Sequence, residues 1–355
     1  MTVVGWYVHH HGAGHVTRFL AVRPHLAADV VVFSSLAAPV PLPARTTWVE
    51  LPRDDEPVAR DDGTLDAAAE RLPTAQGVLH WAPLAHPGHT ARLGLLAAHV
   101  SAAVAAGAPY AAFVVDVSVE ITLFVRLLGV PIVVVSQPGN RSDAPHRLAY
   151  DVAARILAPW PDGLHVGPAL ERVRDRVRWV GGISRHDGRA STYLSSSTGT
   201  PGAVLVLGGV AGESGGCPGR LPAPVAEAAA ATGPWSWQVV GASAESWVAD
   251  PWEDLRSAEI VVSAAGQNSV ADLAAVGARA VIVPQERPFG EQFATARALD
   301  DQGLAVVVDE WPTPAEWPAV IERACGLEPE WTRWQVSGAA ERAAAVIAEV
   351  AAWAH

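Results

Sequence analysis

Two stretches of the chain gather side chains able to act on a substrate. In the first, Tyr7-Val8-His9-His10-His11-Gly12-Ala13-Gly14-His15-Val16-Thr17-Arg18, an apolar run gives way to a glycine-rich turn and then to a helical pattern. Gly12 and Gly14 let such a turn bring backbone N–H groups close to a ligand. His15 falls at the helix start, facing the crevice beyond the strand carboxyl ends. Histidine titrates near neutrality, so His15 is the candidate general base. Asp116 ends the apolar run Val114-Val115-Asp116. Its carboxylate could orient His15 as in other dyads, or cap the helix that contains Glu120. The run His9 to His11 raises the question of a metal. Consecutive residues on a strand point to opposite faces, so this reading expects no convergence on one ion and assigns no metal ligand.

The second stretch runs from Glu259 to Val308. A buried strand, Ile260 to Ser263, is followed by Ala264-Ala265-Gly266-Gln267-Asn268-Ser269 opening a helix, and a further strand runs from Ala280 to Pro284. Small residues before a helix leave its first N–H groups accessible, and with the helix dipole they make a seat for phosphate. A nucleotide ligand is the natural expectation. Ser269-Val270-Ala271-Asp272 also fits a capping box, in which the acid only satisfies the helix start. Gly208-Gly209-Val210-Ala211-Gly212 is a second glycine-rich turn directly after the apolar run Val204 to Leu207.

The elements that position these groups follow from length and pattern. At 355 residues and 50% hydrophobic composition, the chain exceeds the usual size of one domain. Two domains with a cleft between them are expected. Short apolar runs alternate with Ala- and Leu-rich helical patterns, which argues for parallel sheets flanked by helices. In the first half the strands are expected at Val3 to Val8, Val30 to Ser34, Trp48 to Leu51, Ala112 to Asp116 and Ile132 to Ser136. In the second half they are expected at Val204 to Gly209, Gln238 to Val240, Ile260 to Ser263, the Val281 run and Val306 to Val308. The expected organisation is residues 1–180 as one doubly wound domain, 181–335 as a second, and 336–355 as a last helix, about Val336 to Trp353, that docks on one of them. Residues 52–89, charged and Pro- and Gly-containing, are too long for a plain connection and read as a substrate-shaping loop. Ser191 to Gly202 reads as a loop near the domain junction.

Composition excludes several chemistries. The chain has no lysine, so P-loop phosphate transfer, kinase-type chemistry and pyridoxal-phosphate Schiff bases are ruled out. A net charge of -12 argues against a nucleic-acid surface. Cys217 and Cys325 are the only cysteines and lack metal-type spacing, which favours a reducing compartment. No secretory leader precedes the first strand and no apolar run is long enough to span a bilayer. The expected location is cytoplasmic.

Gly12-Ala13-Gly14-His15-Val16-Thr17-Arg18-Phe19-Leu20-Ala21-Val22, together with Ser269-Val-Ala-Asp272-Leu-Ala-Ala-Val-Gly277, the Pro284 strand end and Glu291-Gln292, resembles the two-domain GT-B glycosyltransferases. Within them it is most similar to the MurG-like enzymes of families 28 and 1, the group around the bacterial peptidoglycan enzyme that adds N-acetylglucosamine to lipid I. The resemblance implies two Rossmann-like domains facing each other across a cleft. It further implies inverting, cofactor-free and metal-independent transfer of a sugar from a nucleotide diphosphate sugar, with UDP favoured, to an acceptor hydroxyl.

The same resemblance implies residue roles. His15 and Asp116 take the catalytic positions. Gly12, Gly14, Gly208, Gly209 and the amides of Gly266, Gln267, Asn268 and Ser269 approach the donor phosphates. Arg185, in Val180-Gly-Gly-Ile-Ser-Arg185, meets the diphosphate, Asp272 meets the ribose, and Glu291 with Gln292 hold the donor sugar. Asp272 stands where these enzymes usually carry Glu. Val248 lies in the Trp247 to Trp252 segment expected at the base. His11, Arg18, His80 and Trp81 are expected around the acceptor, which is a glycan, a lipid-linked intermediate or a small aglycone. A lipid-linked acceptor fits peripheral contact with the inner face of a membrane. The metal-holding alternative, GT-A, needs an Asp-x-Asp triplet, and the chain has none. The Gly12 to Arg18 string is also similar to nucleotide-sugar hydrolases of pseudaminic-acid-type pathways. A non-catalytic nucleotide-sugar-binding protein is the further alternative.

Overall fold

The computed structural model describes residues 2–60, 62–164, 167–189, 202–208, 221–241 and 248–354. Two compact units account for the chain: Met1–Pro159 with Val166–Val180 and Ala340–His355, and Trp160–His165 with Gly181–Ala339.

The first unit is built on β1 (Val3–Tyr7), α1 (Gly14–Val22), β2 (Asp29–Ser34) and β3 (Thr46–Glu50). A two-stranded antiparallel ribbon follows, β4 (Val58–Ala59) and β5 (Leu65–Asp66). Then come α2 (Pro87–Ala105), β6 (Ala112–Asp116), α3 (Val119–Leu127), β7 (Ile132–Val135), α4 (Ala144–Val152), β8 (Arg155–Ala158), α5 (Pro168–Glu171) and β9 (Val177–Trp179). Seven strands form one parallel sheet in the order β3-β2-β1-β6-β7-β8-β9. Every residue of β6 and β7 is buried, as a parallel sheet covered on both faces requires. Gly5 lies under the Phe113 ring, where a Cβ would come within 2.2 Å of Phe113 Cδ2. Trp6 meets Phe19 of α1 edge-on at 5.2 Å.

The chain reaches β2 and β3 on one side of β1, and β6 opens the other side. The loops after β1 and β6 therefore diverge at a topological switch point, where α/β sheets open a crevice. The first loop carries the histidine-rich turn and the second begins at Asp116.

The second unit contains β10 (Ala203–Leu207), α6 (Ala223–Ala231), β11 (Ser236–Val240), α7 (Trp252–Ser257), β12 (Ile260–Ser263), α8 (Gln267–Val276), β13 (Ala280–Ile282), α9 (Glu291–Asp301), β14 (Val306–Val307) and α10 (Trp317–Cys325). Its parallel sheet runs β11-β10-β12-β13-β14, so its switch point lies between β10 and β12. Gly208 and the start of α8 follow those two strands. Trp317 of α10, fully buried, packs edge-on against Trp237 at 5.0 Å and closes the core under this sheet.

The final helix, α11 (Ala339–Ala351), belongs mostly to the first unit. Arg342 Nε donates to Val180 O at 2.9 Å, and Arg155 lies over the Trp353 ring at 4.7 Å. Strands β8 and β9 are additional to those expected. The region 52–89 holds the β4–β5 ribbon and short 3₁₀ turns before α2 starts at Pro87, capped by His86.

Candidate active site

His15 is the second residue of α1, whose N-cap is Ala13, so it sits within the first turn and does not cap the helix. Its Nδ1 lies 3.1 Å from Asp116 Oδ1. That carboxylate favours the tautomer with the proton on Nδ1 and leaves the Nε2 lone pair to accept one. Asp116 is completely buried at the end of β6. Burial works against its charge, but the Arg18 guanidinium and His15 outweigh burial and hold the carboxyl below its ordinary range. Capping of α3 falls to Ser118, which accepts from Ile121 N, so the capping alternative for Asp116 is not used.

The residue after Asp116 completes the positioning. Val117 adopts φ 63, a left-handed conformation that a β-branched side chain seldom takes, and Ser118 N donates to Asp116 O at 3.0 Å. This γ-turn lets the chain leave β6 sharply.

Arg18 corrects an expectation. Its side chain turns inward, 3% exposed, and NH1 donates to both Asp116 oxygens at 2.7 and 2.9 Å. It neutralises the buried carboxylate and is not placed to meet an acceptor. The direction in which a helix turns its fifth residue depends on packing against β6, which spacing does not reveal.

The histidines before the turn also depart from expectation. β1 ends at Tyr7, so His9 to His11 lie in a bend and strand alternation does not apply. The His9 ring stacks on His10 at 5.0 Å and stands 5.5 Å from the His15 ring. Burial, and then neighbouring His15, push the His9 pKa down to about 3, so this ring is neutral beside the catalytic candidate. Gly12 makes the turn at φ 80, and Gly14 opens α1. His11 is exposed, and its Nε2 lies 3.2 Å from Asp55 Oδ2. His80 Nε2 lies 2.6 Å from Asp143, and Glu120 Oε1 accepts from the backbone of His80 and Trp81. Glu120 thus ties the 52–89 region to α3.

In the second unit, α8 starts after Gly266, which supplies no side-chain cap. Gln267, Asn268 and Ser269 form the first turn of α8, the end at which the helix dipole attracts an anion. Ser269 is the third helical residue and not an N-cap, so the capping box is not formed. Asp272 is buried and accepts from Ser184 Oγ at 2.6 Å and Arg185 Nε at 3.2 Å. Burial raises its pKa despite both partners. Both oxygens are engaged inside the unit, so a ribose contact at Asp272 would have to displace Ser184 or Arg185. Arg185 NH1 also donates to Ala249 O at 3.1 Å, beside exposed Val248.

Gln292 corrects a second expectation. It is buried, and its Oε1 accepts from Ala265 N and Gln285 N at 3.2 and 2.8 Å, bracing the loop before α8. That oxygen is spent on the backbone. Glu291 is the half-buried first residue of α9. Gly209 and most of Ser191 to Gly202 lie outside the described residues, whereas Gly208 follows β10 at φ 68.

His186 was not foreseen. Its ring, 1% exposed, packs against Trp252 at 5.1 Å and lies 3.7 Å from Asp272. Burial, then Arg185 and Arg189, lower its pKa to about 4. The signal was its place beside Arg185. A cavity of about 740 Å³ lies among His186, Arg189, Ala274 and Trp331, and among the described residues none of those expected at the donor lines it.

Residues 247–322 match the glycosyltransferase family 28 C-terminal domain. The UDP-N-acetylglucosamine--N-acetylmuramyl-(pentapeptide) pyrophosphoryl-undecaprenol N-acetylglucosamine transferase of Nocardioides sp. is 30% identical over 233 residues, covering 57% of this chain and 59% of that protein. Its counterpart from Clavibacter michiganensis is 30% identical over 211 residues, covering 54% and 55%. The chain thus spans less than two thirds of the length of these relatives. Among solved structures, MurG of Acinetobacter baumannii superposes with a TM-score of 0.57 at 16% identity, covering 98% of this chain and 99% of that one. A UDP-glucosyltransferase from Polygonum tinctorium superposes at 0.65 and 14% identity, covering 99% of each chain.

Two parallel, doubly wound units and these superpositions define the GT-B fold. Within that fold the chain is similar to the MurG enzymes, through the match of residues 247–322 to the family 28 C-terminal domain and through its bacterial relatives.

Proposed function

We propose that this protein is an inverting, metal-independent glycosyltransferase that moves a sugar from a nucleotide diphosphate sugar, a UDP-sugar above others, to an acceptor hydroxyl. The observation that carries the reading is the His15–Asp116 pair at the switch point of the first sheet, with the carboxylate 3.1 Å from Nδ1. His15 Nε2 takes the acceptor proton as the acceptor oxygen bonds to the anomeric carbon, and the bond from that carbon to the diphosphate breaks. The imidazolium that forms is stabilised by Asp116. In the second unit, Arg185 and the α8 amides offset the charge of the departing nucleotide. Gly208, Gly209, Val248, Asp272, Glu291 and Gln292 belong to the donor site in this reading. Gln292 acts there by holding the loop before α8.

The acceptor is read from the first unit, where His11, His80 and Trp81 border the 52–89 region. The MurG relatives are named for a pyrophosphoryl-undecaprenol acceptor and support a lipid-linked intermediate; a glycan or small aglycone is the other acceptor class. Among the described residues no helix is long and apolar enough to cross a membrane. A lipid-linked acceptor would therefore be met by peripheral contact at the cytoplasmic face.

Thermal unfolding with UDP, TDP, GDP and CMP is the first test, since a ligand at ~100 times its Kd adds about 2.7 kcal/mol. A selective rise with one diphosphate identifies the donor. Nucleotide release that requires an acceptor alcohol, with the opposite anomer in the product, supports transfer with inversion. Release with water alone would assign a hydrolase instead, and no shift with any nucleotide would refute both.

A further inference from the structure

The turn after β1 brings two adjacent histidines onto one carboxylate. His10 Nε2 lies 3.4 Å and His11 Nε2 3.2 Å from the same Asp55 Oδ2, and the two rings stand 4.3 Å apart. The three ligand atoms all lie within 4.8 Å of one another. His10 is more than nine-tenths buried, and among the described residues neither of its ring nitrogens has a hydrogen-bond partner. A buried imidazole whose nitrogens lack a well-aligned hydrogen bond costs stability unless something completes it. Asp54 adds a second carboxylate on the buried side, 3.8 Å from His10 Nε2 and ion-paired with Arg92.

We propose that His10, His11 and Asp55 form a binding site for a divalent cation of the zinc type. Two imidazoles and one carboxylate are the donor set this borderline ion takes, with one coordination position left for water. Arg53 does not preclude it. Its Nε donates to Asp55 Oδ1 at 3.0 Å, which leaves Oδ2 as the ligand atom, and its NH2, 2.7 Å from Oδ2, belongs to a half-exposed side chain that can swing away. An oxygen held by Arg53 while the other binds the ion is the usual arrangement around a ligating carboxylate.

A second group, His80, Asp143 and His146, has similar spacing. There the Arg141 guanidinium donates to His146 Nε2 at 3.0 Å, so that lone pair is taken and a fixed positive charge faces the site. The first group is therefore the better seat.

All three ligands come from the first unit, and two of them stand directly before Gly12 in the turn that leads to His15. The ion would staple this turn to the start of the 52–89 segment. Its role is structural: it takes no part in the displacement proposed above, whose charge is offset in the second unit.

The test uses the untagged full-length protein, stripped with chelator and titrated with Zn²⁺ against a chromophoric competitor, and with Co²⁺ read by its visible absorption. We expect one equivalent of Zn²⁺ and a Co²⁺ spectrum of four- or five-coordinate intensity. Partners of a ligand alone are worth ~10–100-fold in affinity, so His11→Ala and Asp55→Asn should each weaken binding at least that much. His80→Ala should leave it unchanged. His11 is exposed, so its variant folds and the comparison stands if Asp55→Asn does not. Absence of stoichiometric binding, wild-type affinity in His11→Ala, or loss only in His80→Ala would each overturn the proposal.

Discussion

Asp116→Asn separates the structural and chemical roles of the buried carboxylate. In the native protein Arg18 NH1 bonds both its oxygens, and both side chains are shielded from water. Two unit charges ~4 Å apart at an effective dielectric of ~20 attract by about 4 kcal/mol. The amide removes that attraction and leaves a buried guanidinium without a counter-charge, a change worth about 3–5 kcal/mol. For a unit of this size each kcal/mol moves Tm by roughly 2–4 °C, so a fall of about 6–20 °C is expected. Turnover should fall by about 10²–10⁴-fold as His15 loses the group that fixes its tautomer.

A companion variant divides the two effects. Arg18→Gln combined with Asp116→Asn removes the orphaned charge and should recover most of the stability, with turnover still low. The sign with pH follows from the depressed pKa of Asp116. Its contribution is present above the unfolded value of about 3.9 and is lost as pH falls through the lower folded value. Urea unfolding curves of wild type and Asp116→Asn should therefore diverge at neutral pH and converge in acid. Wild-type stability and wild-type turnover in Asp116→Asn would refute the account of this site.

His15→Ala should abolish sugar transfer while leaving the nucleotide-induced thermal shift intact; equal kcat would remove His15 from the mechanism. His146 is held neutral, its pKa lowered to about 4 by burial and then by Arg141. The unfolded chain takes up that proton near pH 6.5, so stability should decline by up to about 3 kcal/mol as pH falls from 6.5 to 4. His146→Gln should flatten that decline in pH-dependent unfolding. Gly5→Ala places a methyl against the Phe113 ring and should cost about 1–3 kcal/mol by denaturant titration. Val117→Gly, measured the same way, should be close to neutral, since relief of about 1–3 kcal/mol at its positive φ offsets the added chain entropy.

The sheets were legible because their strands are nearly unbroken apolar runs. β1, β2, β6, β7, β10 and β12 stand within a residue or two of the expected spans. β8 and β9 escaped because each is short and carries an arginine, Arg155 or Arg178, that breaks the run. His15 and Asp116 were legible for a related reason: the residues following strands at a switch point face the same crevice. What spacing could not supply was side-chain direction and distant pairing. Arg18 turns inward because Asp116, 98 residues away, is buried beneath it. Asp272 is engaged by Ser184 and Arg185, 88 and 87 positions earlier, which no local pattern announces. The convergence of His10 and His11 depended on β1 stopping at Tyr7, one residue short of the expected Val8.

The return of α11 to the first unit bears on how the chain is made. Residues of α11 such as Ile347 and Val350 are fully buried, yet they are translated after the whole second unit. On a ribosome the amino-terminal sheet therefore waits for this covering helix until the second unit has been made, exposing an apolar strip meanwhile. The second unit, apart from one short piece, is a single continuous stretch and can close earlier. The usual vectorial order, amino-terminal part first, is reversed for final consolidation. A stop codon just ahead of α11 would thus injure the half of the protein that was translated first.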